Sequence, residues 1–195
     1  MGAELRVLQS TTAEDIQPSL SPNGDWLAYT SNLKSSNQPQ IWTVNTSGTL
    51  PTQLREGESP CVSIDGEKIV FSRTDNNHSY NRNDTIIKPK QIWIMNKDGS
   101  GETQISQNTD YDISNPRWSP DGKWIIYSCD KAKDNKGRNN YDIWCIKSDG
   151  TSETQLTTNG SVDDCPYWGI DGFVYFRSNR GGFWNIWRVV PILPN

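Results

Sequence analysis

SPDGKWIIYS, residues 119–128, reads as a turn followed by a strand. Asp in a turn bonds its own backbone two residues on, and Gly adopts positive φ without steric cost, so Pro-Asp-Gly reverses the chain tightly. The apolar run after Lys123 is short, aromatic and β-branched, as strand segments are. Nearly the same phrase recurs as SPNGDWLAYTS (21–31), SIDGEKIVFSR (63–73) and GIDGFVYFRS (169–178). A single turn-strand phrase fixes little, but four of them in 195 residues make the chain a repeat protein.

Two further markers keep the same order. A Pro precedes each turn at positions 18, 60, 116 and 166, and an Ile-Trp pair follows at Ile41-Trp42, Ile92-Trp93, Ile143-Trp144 and Ile186-Trp187. The first three units then carry Thr52-Gln53-Leu54, Thr103-Gln104-Ile105 and Thr154-Gln155-Leu156. Units of roughly 40–50 residues with four strand-like segments each are the sequence pattern of propeller blades. No segment sustains a helical period, and Gly, Pro, Asn and Asp interrupt the chain too often for one.

The expected fold is therefore all-β: one domain over 1–195, a four-bladed propeller of four-stranded antiparallel blades. The blades are expected at about 16–57, 58–109, 110–158 and 159–191. The last unit ends after its Ile-Trp strand. The N-terminal segment 4–10 has the character of the missing strand, so it is expected to close the last blade, which would remove an exposed edge. Either four blades close within one chain, or two chains share a larger ring, a homodimer.

Pro116-Arg-Trp-Ser-Pro-Asp-Gly122, Tyr127-Ser128, Asp142-Ile-Trp144, Asp149-Gly-Thr-Ser-Glu-Thr-Gln-Leu156 and Phe176-Arg-Ser-Asn-Arg-Gly-Gly182 together resemble the TolB-type propeller repeat. The resemblance covers almost the whole chain. It departs from the family in number, since TolB itself is similar to a six-bladed ring with a separate N-terminal domain, and here there are four units. It implies a non-enzymatic scaffold that holds a protein or peptide partner on one face, in the periplasm or cell envelope. No signal peptide is visible at the N-terminus.

The residue inventory narrows the chemistry. The net charge of −4 gives no reason to expect nucleic acid, and no stretch approaches a membrane span. One histidine, His78, cannot build a His-rich metal site, and no nucleophile elbow, P-loop or dinucleotide signature occurs. The expectation is no catalytic residue, no metal and no cofactor. Prolyl-oligopeptidase-type peptidases carry a similar propeller, but their chemistry resides in an attached hydrolase domain.

Asp15, Glu58, Asp112, Asp163 and Asp164 fall just before the Pro of each unit, at the connection from one blade to the next. They either cap turns there or focus a negative potential on a basic peptide or hard cation. Long insertions at 75–90 and 131–140 replace short turns on the same face. Long loops either carry function or are merely solvated. The repeated Trp positions read as blade-to-blade packing, with Trp184 the exception. The best contact candidates are Asp112, Asp163, Asp164, Arg117, Tyr167, His78, Arg180 and Trp184. The alternative reading is a carbohydrate-binding or carbohydrate-active propeller using acidic and aromatic groups on that face. Four cysteines, Cys61, Cys129, Cys145 and Cys165, sit at no repeat-specified position and are expected to be free thiols.

Overall fold

The structure, a computed structural model, describes residues 8, 12–32, 38–48 and 51–194. The first sheet holds β1 (Glu14–Leu20), β2 (Trp26–Asn32), β3 (Gln40–Asn45) and β4 (Thr52–Glu56), in that spatial order. The second holds β5 (Glu58–Val62), β6 (Lys68–Thr74), β9 (Lys90–Asn96) and β10 (Thr103–Gln104). Between its second and third strands stands a separate hairpin, β7 (Tyr80–Arg82) and β8 (Thr85–Ile87). The third sheet is β11 (Ile113–Trp118), β12 (Trp124–Lys133), β13 (Asn139–Lys147) and β14 (Thr154–Gln155). The fourth is β15 (Asp163–Trp168), β16 (Val174–Ser178) and β17 (Asn185–Val189), three strands rather than four. The expected closing strand at 4–10 lies, apart from Leu8, outside the described residues. Every pairing is antiparallel, and no helix occurs among the described residues.

These sheets are four propeller blades. Their first strands pack in series, β1 on β5, β5 on β11 and β11 on β15. The opening phrase explains the local geometry. Ser119 Oγ donates to Asp121 Oδ1 at 2.6 Å and accepts the Trp124 N–H at 2.9 Å, which closes the turn and starts β12. Ser21 and Ser63 repeat this with Asn23 and Asp65. The fourth unit has Gly169 instead, and there Tyr175 Oη donates to Asp171 Oδ2 at 2.7 Å.

A feature invisible in the sequence pattern recurs in each inner strand. Gln17, Ser59, Asn115 and Cys165, each just before the marker Pro, have φ of 55°, 55°, 53° and 52°. Each begins a bulge in which two residues oppose one aromatic of the blade's second strand: Tyr29, Phe71, Tyr127 or Phe176. The bulge residues also tie blades together. Gln17 Nε2 donates to Ser59 Oγ at 2.8 Å, and the Ser59 N–H returns to Gln17 Oε1 at 2.9 Å.

The core is the set of faces between blades. Ala28, Ile41 and Leu54 of the first blade pack with Ile69, Phe71 and Met95 of the second. Val70, Ile92, Ile94 and Ile105 meet Ile113, Ile125, Tyr127 and Ile146 of the third. Trp124, Ile126, Ile143 and Cys145 meet Trp168, Val174 and Phe176 of the fourth. Strand alternation produces this: odd and even side chains of each blade serve opposite neighbours. All four cysteines are free.

Candidate partner-binding face

The loops joining blades and those joining second to third strands emerge on the same face. The insertion 75–90 folds into the β7–β8 hairpin and lies against the third blade. Tyr80 Oη donates to Asp130 Oδ2 at 2.7 Å, and Arg82 donates to Tyr141 Oη at 2.7 Å. Asn83 and Asn139 exchange two bonds, of 3.2 and 2.9 Å, across the hairpin tip. The second insertion extends β12 and β13; it supplies Asn139 and Asn140, and Tyr141 follows directly after it. The two insertions thus form one wall.

Asp112 and Asp130 are the anchor beneath it, 5% and 0% exposed. Asp130 Oδ1 accepts the Asp112 N–H at 2.6 Å, while Asp112 accepts Tyr141 Oη at 2.8 Å and the Lys90 N–H at 3.0 Å. Lys90 Nζ bridges to Glu58 at 2.8 Å. Burial alone would push the Lys90 ammonium down, but Asp112 and Glu58 hold it above its usual range. Burial raises the Asp130 carboxyl, against the bonds from Tyr80 and Asp112. Three carboxylates, Asp112, Asp130 and Glu58, are paired here with two cations, Lys90 and Arg82, as buried charge requires.

A second polar node joins the third and fourth blades. Asp163, fully buried, accepts Arg180 Nη2 at 2.5 Å, and its Oδ1 has no partner. Asp142 accepts Thr157 Oγ1 at 3.2 Å and Asn140 Nδ2 at 3.4 Å. Burial, with repulsion from Asp163, pushes the Asp142 carboxyl up to about 7 despite those bonds. Outside this node, Asp164 pairs with both arms of Arg177 at 2.8 and 2.6 Å, and Arg177 lies 4.3 Å over the Trp184 ring.

The structure separates the eight candidate residues. Asp163, Asp164, Arg180 and Trp184 come together on the fourth blade. Asp112 belongs to the hairpin anchor, and His78 pairs with Asp75 at 2.7 Å on the second blade. Arg117 and Tyr167 stand at the far ends of β11 and β15, beside the Ser-Pro-Asp-Gly and Gly-Ile-Asp-Gly turns on the opposite face, so they are corrected out of this face. The acids do not converge on one mouth either. Asp112 and Asp163 are buried against separate partners, Tyr141 and Arg180, and Asp164 is held outside them by Arg177. Asp112 and Asp163 are buried supports rather than contact groups. Asp130, Tyr80, Arg82 and Asp142 were missed. The available signal was two tyrosines, Tyr80 within the first polar insertion and Tyr141 immediately after the second.

Beside His78 a groove of about 740 Å³ opens between the insertion and the connection to the third blade. Trp93 and Arg73 form its floor, with Arg73 4.5 Å over the indole. Gln104, Gln107, Asn108 and His78 line its sides. Asn108 is 5% exposed, and its Oδ1 has no hydrogen-bond partner. No group of three or more His, Cys, Asp or Glu able to hold a metal occurs among the described residues.

No family model matches the chain. Over 73 residues it is 40% identical to the uncharacterized protein Atu1656 of Agrobacterium fabrum, covering 37% of this chain and 23% of that protein. Structural neighbours are TolB-like β-propellers. TolB from Acinetobacter baumannii superposes with a TM-score of 0.71 at 17% identity, over 93% of this chain and 42% of that one. The β-propeller domain of the trilobed protease from Pyrococcus furiosus, whose topology is described as an open velcro, gives 0.59 at 15% identity, over 90% and 54%. The chain therefore spans only part of each of these proteins. The likeness establishes the propeller fold; TolB and peptidase propeller domains share it.

Proposed function

We propose that the chain is a non-enzymatic binding scaffold that holds an extended peptide segment of a protein partner on the face bearing the two insertions. The groove beside His78 carries this reading. It is large enough for several residues, and its walls are amide side chains, which can both donate to and accept from a peptide backbone. The wall formed by the two insertions is internally bonded, so little ordering entropy would be lost on binding. By resemblance to the TolB-type repeat, the setting is the periplasm or cell envelope. No helix among the described residues is long and apolar enough to cross a membrane.

Panning a random peptide library against the protein tests the reading. It predicts enriched peptides whose binding is lost in His78→Ala and Gln107→Ala, both at exposed positions, and retained in Ile170→Ala on the opposite face. Peptides that depend on Ile170 instead would contradict it. So would defined glycan binding, abolished by Trp184→Ala, with no peptide enriched.

A further inference from the structure

Seven Asn-Gly or Asp-Gly pairs occur in the chain, and they fall into two kinds. In six of them the glycine, at 24, 66, 99, 122, 150 or 172, closes a tight turn. Each of these six N–H groups donates to the carbonyl three residues back, at 2.8–3.1 Å. The seventh pair, Asn159-Gly160, lies in the connection from the third blade to the fourth. Gly160 is exposed, and its N–H donates no hydrogen bond among the described residues.

Packing explains why both residues stand there. Asn159 Oδ1 accepts the Ser161 N–H at 2.7 Å. The Asn159 and Ser161 carbonyls accept Asn140 Nδ2 at 3.2 and 2.8 Å, and the same amide reaches Asp142 Oδ2 at 3.4 Å. A Cβ on Gly160 would meet the Asn135 amide at 3.2–3.3 Å, so glycine lets the second insertion close over the connection.

The same arrangement is reactive. An Asn side chain bonded to the N–H two residues on mimics a backbone turn, which folds its Cγ toward the nitrogen between them. Here that nitrogen belongs to Gly160, which has no side chain in the way and no hydrogen bond to give up. The Ser161 N–H is aimed at Oδ1, the atom on which negative charge develops when a nucleophile adds to Cγ. Holding nucleophile and carbonyl together in one chain removes the cost of bringing them together. The other Asn-Gly pair lacks this freedom. Gly24 N donates to the Ser21 carbonyl at 2.9 Å, and Asn23 Nδ2 donates to Asp25 Oδ2 at 2.6 Å.

We propose that Asn159-Gly160 is a self-modification site, at which Asn159 is converted to aspartate and isoaspartate within the folded protein. Gly160 N loses its proton and attacks Asn159 Cγ. The Cγ–Nδ2 bond breaks, ammonia leaves carrying a proton in place of that bond, and a succinimide ring closes. Water then opens the ring. Addition at Cγ yields aspartate, and addition at the Asn159 backbone carbonyl yields isoaspartate. Water is the only co-reactant, and the exposure of Gly160 admits it. Either product adds a negative charge to the joint that already holds Asp142 and Asp163. Isoaspartate also lengthens the connection by one backbone atom, between the two carbonyls that Asn140 holds together.

Peptide mass spectrometry on the full chain, kept folded at mildly alkaline pH, tests this against the internal control at Asn23. The amide-to-acid mass gain is expected in the peptide carrying Asn159 at least about tenfold faster than in the peptide carrying Asn23. That is the rate ratio that one backbone hydrogen bond of about 1.4 kcal/mol supplies. In urea, where Gly24 has lost its bond, the two peptides are expected to convert at matching rates. Folded protein in which Asn159 stays an amide, over a time in which the urea-unfolded chain converts it, overturns the proposal. So do equal rates at Asn23 and Asn159 in the folded protein, which would mean that the fold does not distinguish the two pairs.

Discussion

Cys165 shows what the bulge asks of a single residue. Its φ of 52° lies in the left-handed region, where non-glycine residues are strained by about 1–3 kcal/mol. Asn tolerates that region best after Gly, and Asn115 holds the same place in the third blade. Cys165→Asn is therefore expected to stabilise the protein by about 0.5–1 kcal/mol in urea unfolding, a fraction of that strain; a destabilisation of that size would show that Cys165 packs rather than strains. Asp142 makes a second residue-scale prediction. An unfolded aspartate titrates near about 3.9, and here the folded group titrates near 7. Between those values the folded protein keeps a proton that the unfolded chain has released. Stability from this site is thus fully present below about pH 4 and is lost as the pH rises through 7. The difference in melting temperature between Asp142→Asn and wild type should grow in favour of the variant over that window, and a constant difference would refute the assignment. The turn residues were legible in the sequence because Pro-Asp-Gly acts locally. The bulge was not, because a positive φ at Gln, Ser, Asn or Cys is imposed by the strand opposite and leaves no common residue type.

The insertions were legible as elements only in their existence. Their length and polarity left functional and merely solvated loops equally open, and the first forms a hairpin seated on the next blade. What seats it is a set of contacts between residues some 50 positions apart, Tyr80 and Arg82 on Asp130, which no local pattern displays. Asp130→Ala would leave Tyr80 and Arg82 without their buried partner. Removing one member of a buried charged pair costs about 3–5 kcal/mol. A loss of that size in denaturant, with new protease cleavage confined to residues 75–90, is the expected outcome. A change below about 0.5 kcal/mol, the usual scatter for a surface substitution, would mean that the hairpin stands without the anchor. The repeated tryptophans gain a further support that the sequence hides: Arg73, Lys131 and Arg180 lie 4.5, 4.9 and 4.9 Å over Trp93, Trp144 and Trp187. Such pairs are cation–π contacts, and they place the cations at the edge of the candidate face.

For the whole molecule, the repeat makes the propeller readable in the sequence, because each blade needs its neighbours to bury both faces and the period announces that need. Closure was less readable. Strand order within a blade is encoded by turns, whereas the meeting of last and first blades depends on curvature summed over the chain. One interface, repeated three times, supports the fold through Ile41, Ile92 and Ile143, whereas the equivalent Ile186 of the fourth blade is 73% exposed. Truncating the same isoleucine in each blade tests it most directly: Ile41→Ala, Ile92→Ala, Ile143→Ala and Ile186→Ala, each unfolded in urea at concentrations where the chain is monomeric. The first three should each lose about 2–5 kcal/mol, as core isoleucines do. Ile186→Ala should remain within about 0.5 kcal/mol of wild type. An equal loss at all four positions would contradict the account, since it would mean that the fourth face is already covered within a single chain.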